Sequence, residues 1–84
     1  MAQATNLEEF LGNPNGFDTI NIQNKNLDNA AAQRLAQGIA ENKNLTFIVL
    51  DNNKIGDAGA VAIARAIEGN SKLIEFRLPY NQIG

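Results

Sequence analysis

The sequence predicts a mixed α/β fold: a right-handed solenoid with a short parallel sheet on its concave side and helices on its convex side. Three observations carry this. Residues 17–44, FDTINIQNKNLDNAAAQRLAQGIAENKN, align without a gap on 45–72, LTFIVLDNNKIGDAGAVAIARAIEGNSK, and the first part of the pattern returns at 73–84 as LIEFRLPYNQIG. In the first half of each period Ile48 and Leu50 alternate with Phe47, Val49 and Asp51, the two-residue rhythm of a strand with one face inward. In the second half Ala60, Ile63, Ala64 and Ile67 fall at the spacing of one helix face, and Ala32, Leu35, Ala36 and Ile39 repeat it.

A unit of one strand and one helix cannot bury its own apolar face, so it must stack on a neighbour of the same kind. Connections from strand through helix to parallel strand are right-handed. Helices are thicker than strands, so the stack curves with the strands inside.

The first element, within residues 1–16, is a short helix in ATNLEEFLGNPNG. Thr5 or Asn6 can cap it, Glu8 and Glu9 suit the positive end of its dipole, and Gly12 can end it. Leu7, Phe10 and Leu11 form its apolar side, so it is expected to act as a lid on the first repeat, with Asn13 to Gly16 as the turn that follows. The first repeat, 17–44, places Phe17, Ile20, Ile22 and Leu27 inward. The second, 45–72, does the same with Leu45, Ile48, Leu50 and Ile55, and the partial third, 73–84, with Leu73, Phe76, Leu78 and Ile83. Asn29 and Asp57 stand where the helices want a side-chain acceptor. Asn42, and Gly69 with Asn70, stand where left-handed residues would close them.

The pattern LxxLxLxxNxI, carried by Leu45, Ile48, Leu50, Asn53 and Ile55 and again by Leu73, Phe76, Leu78, Asn81 and Ile83, resembles leucine-rich repeats of the ribonuclease-inhibitor type, with 28-residue repeats. Such repeats occur also in NOD-like receptors, Ran GTPase-activating proteins and tropomodulins. The resemblance covers residues 17–84 and implies that Asn53 and Asn81 bond to backbone in the turn after each strand. The first repeat departs from it, with Lys25 at that position and Asn24 beside it.

Composition narrows the function. The 84 residues include no cysteine and no histidine, which removes disulfides, thiolate metal sites, the commonest zinc ligand and the commonest general base. An intracellular, cytoplasmic protein without catalytic activity, cofactor or metal is expected. Seven basic and nine acidic residues give a net charge of -2 without a basic block, which argues against a nucleic-acid partner. No signal peptide or membrane-spanning run is evident, so a membrane partner is not expected either. DNNKIGDAG lacks the terminal glutamate of an EF-hand loop, and no P-loop lysine follows Gly56 and Gly59.

What remains is a protein-interaction module. Strand residues pointing away from the helices fall in rows: Thr19, Phe47, Glu75; Asn21, Val49, Arg77; Gln23, Asp51, Pro79; Asn24, Asn52, Tyr80. Phe47, Val49, Asp51, Arg77 and Tyr80 are the expected partner-binding set, with the aromatic and arginine content of interface hot spots. Arg34, Arg65 and Arg77 are expected to pair with Glu41, Glu68 and Glu75 on the surface. The resemblance adds two alternatives, a GTPase regulator of the Ran-activator type and a structural or self-assembling fragment of tropomodulin-like kind.

The stop after Gly84 falls in mid-repeat, so the chain is expected to be a fragment of a longer array, the alternative being a short unit completed by self-association. In either case Leu73, Phe76, Leu78 and Ile83 lack their covering helix, and homo-oligomers through that edge are expected.

Overall fold

The computed structural model describes residues 2–79, 81 and 82. Four strands, β1 (Ala2–Ala4), β2 (Phe17–Asn21), β3 (Phe47–Val49) and β4 (Glu75–Arg77), pair in the order β1-β2-β3-β4, all parallel. Helices α1 (Leu7–Gly12), α2 (Asn29–Glu41) and α3 (Asp57–Ile67) form the second layer, and a single 3-10 turn (Pro14–Gly16) leads into β2. Thr19 pairs with Phe47 and Phe47 with Glu75, so the register steps by one full sequence period from strand to strand.

The alternation within each strand decides what is buried. Ile20 and Ile48 are fully buried on the helix side, as are Ile22 and Leu50 just beyond the strands, and Leu35, Ile39 and Ile63 meet them from the helices. Each such side chain contributes roughly 1.5–3 kcal/mol. In the third segment Leu73, Phe76 and Leu78 pack on this core but stay only partly buried, while Ile83 lies outside the described residues. The helix stripe holds fully for α2. In α3, Ile63 is buried but Ala64 is exposed and Ala60 and Ile67 are half-buried, because α2 packs against only one flank of α3.

Several local expectations are corrected. The N-terminal segment holds a strand, β1, before its helix. α1 is capped as expected, by Asn6 of the two candidates, whose Oδ1 accepts from the Glu9 amide at 2.8 Å. α2 is capped by Asp28, which accepts from the Ala31 amide at 2.9 Å, and Asn29 is already helical. α3 begins after Gly56, which has no side chain to offer, and Asp57 is its first helical residue. Its missing acceptor comes from the neighbouring repeat: Asn29 Oδ1 accepts from the amides of Gly56 at 2.8 Å and Gly59 at 2.9 Å.

The helix ends differ as well. Asn42 is extended, at φ -86° and ψ 134°, and no described glycine has a positive φ. Asn42 serves the loops through its side chain. Its Nδ2 donates to the carbonyls of Pro14 and Phe17, and its Oδ1 accepts from the amides of Asn44 and Leu45. Among the described residues the left-handed ones are Asn24, Asn26 and Asn52, with φ of 58°, 58° and 59°, all in the turns after strands, where asparagine tolerates that conformation.

Candidate interaction surface

The strand-to-helix turns fix the edge of the open sheet face. Asn53, only 6% exposed, sends Nδ2 to the carbonyl oxygens of Ile22, Leu50 and Asp51, and its Oδ1 accepts from the amides of Lys25 and Leu27. It thereby ties its own turn to the preceding one, where Lys25 occupies the asparagine position. Asn81 repeats the arrangement one period later, donating to Leu50, Leu78 and Pro79 carbonyls and accepting from the Ile55 amide. These bonds lock strand ends in register, so side chains on the open face stand at fixed spacing.

On that face Phe47 is 38% exposed and Val49 half-buried, because Ile48 between them takes the inward position. Thr19 and Asn21 flank them on β2, and Glu75 and Arg77 on β4. Arg77 donates from Nη2 to Asp51 Oδ2 at 3.0 Å, and not to Glu75 as its sequence neighbourhood suggests. Asp51 is itself 8% exposed, so it stands beneath Arg77 as a counter-charge and is not displayed on the face. Its Oδ1 is buried and makes no hydrogen bond among the described residues. Tyr80 lies outside the described residues. Arg34 likewise pairs elsewhere than expected, with Glu8 of α1 at 3.0 Å across an exposed gap.

The structure thus brings Phe47, Val49 and Arg77 together on one side of the sheet and sets Asp51 below them. Two exposed apolar residues were not anticipated, Val61 on α3 and Ile74. Ile74, 73% exposed, precedes β4, and its amide donates to the Thr46 carbonyl. The available signal was the period itself, in which Ile74 stands over the polar Thr46 and Asp18. Among the described residues no cluster of acidic side chains suits a metal ion, and no helix is long and apolar enough to cross a membrane.

Stacked strand-and-helix units, turn asparagines and an apolar core stepped by one period define a class. Residues 41–64 match the family model described as a leucine-rich repeat, and this is a leucine-rich repeat protein. Its sequence is similar to leiomodin-2. The human protein is 31% identical over 78 residues, spanning 93% of this chain, and the rat protein 34% identical over 64 residues, spanning 76% of it. The chain spans only 14% and 12% of those two relatives. A solved chain of the leiomodin-1 actin-binding site 2 superposes with a TM-score of 0.79 at 25% identity, over 98% of this chain and 54% of that one.

Proposed function

We propose that this chain is a non-catalytic, intracellular protein-interaction module that binds its partner through the open sheet face around Phe47, Val49, Arg77 and Tyr80. The observation that carries the reading is the exposed Phe47 beside Val49, an apolar pair held in register by the turn asparagines with a pinned arginine next to it. Aromatic and arginine side chains of this kind dominate binding energy at interfaces. Actin is the first partner to test, because the structural relative is an actin-binding site of leiomodin-1. In the same reading the repeats are of the ribonuclease-inhibitor type with 28-residue spacing, divided as 1–16, 17–44, 45–72 and 73–84.

Sedimentation with actin filaments, together with fluorescence anisotropy on monomeric actin, tests this. Phe47→Asp should abolish capture while far-ultraviolet circular dichroism and the melting curve stay those of the parent. Equal capture by parent and variant would move the interface off this face. The GTPase-regulator alternative rests on the family resemblance alone. An added-turnover assay on a Ran-type GTPase should show no stimulation.

Self-association is a second reading. It is favoured by the half-buried Leu73, Phe76 and Leu78 on and beside β4, an edge strand of the sheet and so a template for strand pairing. Light scattering over a micromolar concentration series should show the mean mass rising with concentration. A constant monomer mass would remove this reading and leave the first untouched.

A further inference from the structure

This inference rests on the sheet face being the binding surface, and it names the chemistry of what that face receives. Three charged side chains stand on or just beyond β3 and β4: Asp51, Glu75 and Arg77. Asp51 and Arg77 neutralise one another at 3.0 Å. Glu75 is exposed and makes no ion pair among the described residues. It is the register neighbour of Phe47, about 4.8 Å away across a parallel pair. The face therefore presents an aromatic ring, a valine and one uncompensated carboxylate side by side.

We propose that Phe47, Val49 and Glu75 receive a basic side chain, lysine or arginine, from a protein partner. The alkyl stem lies along Val49 and Phe47, and the cationic head meets the ring face and the Glu75 carboxylate. Arg77 and Asp51 already satisfy one another, which leaves the Glu75 carboxylate as the open acceptor for the cationic head. An acidic side chain docking on Arg77 is disfavoured for a physical reason. Drawing Arg77 off would strip Asp51 of its counter-charge, and Asp51 Oδ1 is already buried without a hydrogen bond among the described residues.

The test uses two capped tripeptides, acetyl-Leu-Arg-Leu-amide and acetyl-Leu-Glu-Leu-amide, titrated into the labelled chain and followed by amide NMR shifts. The arginine peptide should shift Phe47, Val49 and Glu75 with saturation in the millimolar range, weakening as salt rises, and the glutamate peptide should not. Glu75→Gln and Phe47→Leu should each weaken the arginine peptide about two- to fivefold, with spectra showing an intact fold. Equal response to both peptides, shifts confined to other residues, or no effect of Glu75→Gln would overturn the proposal. The actin experiment separates the two readings. Capture lost in Phe47→Asp with no peptide preference keeps the surface and removes the cation receptor. A clear peptide preference with capture unchanged in Phe47→Asp keeps the receptor and removes this face as the actin interface.

Discussion

The side-chain oxygen of Asn29 serves a helix to which Asn29 does not belong. Gly56 starts α3 without a capping side chain, and the amides of Gly56 and Gly59 bond across the repeat boundary instead. Asn29→Ala should therefore destabilise the chain by about 0.5–2 kcal/mol, as loss of a local cap does, whereas Asn29→Asp keeps the acceptor and favours the helix dipole. Urea denaturation of both variants checks this, and equal losses would show that the acceptor is not what matters. Asn53 is more deeply committed. Its replacement by alanine leaves the Ile22 carbonyl and the Leu27 amide without their buried partner, at a cost of about 2–4 kcal/mol in the same assay. The residue types of these roles were legible in the sequence and their partners were not. An asparagine near a helix start reads as its cap, yet Asp28 one position earlier does that work for α2. Only stacking shows where Asn29 is used. Arg77 and Asp51 were hidden for the same reason, being neighbours through the sheet and far apart along the chain.

Among the elements, the contact between α2 and α3 sets a rule opposite to helix propensity. Alanine in place of a helical glycine ordinarily gains about 1 kcal/mol. At Gly59 a Cβ would stand 2.8 Å from the Ala32 Cβ and 2.9 Å from Ile55 Cγ2, so the helices must separate. Gly59→Ala should lower stability by about 1–3 kcal/mol, and adding Ala32→Gly should recover part of that loss in a double-mutant cycle. Helices α2 and α3 were readable because burial acts on every third or fourth residue and leaves a period. Strand β1 was not. Its sequence AQA has no β-branched residue and no length over which to alternate, and its pairing with β2 comes from docking of the N-terminal segment. The uneven burial of the α3 stripe was equally hidden, since Ala64 matches the buried Ala36 in sequence and differs only in what stands beside it.

For the whole molecule, a stack in which each unit touches only its neighbours unfolds from where it is weakened. Phe10 is fully buried, lies against Phe17 with ring centroids 6.1 Å apart, and fills the space over Gly38 of α2. Phe10→Ala removes about 3–5 kcal/mol of packing, comparable with much of a small domain's total stability. Hydrogen exchange should rise first in β1, α1 and β2 and least in β3 and α3. Uniform acceleration over the chain would instead mark a single cooperative unit.

The cross-boundary bonds of Asn29 and Asn53 also decide where such an array can be cut and rejoined. A sequence period excised at its own borders carries a helix start without its acceptor and an asparagine facing a foreign turn. Residues 22–59 hold every turn and cap bond of both asparagines, from the Ile22 carbonyl to the Gly59 amide. The segment to graft between such proteins is therefore the junction of two repeats. A chimera joined outside that window inherits a working seam, and one joined within it has to rebuild the seam from mismatched halves.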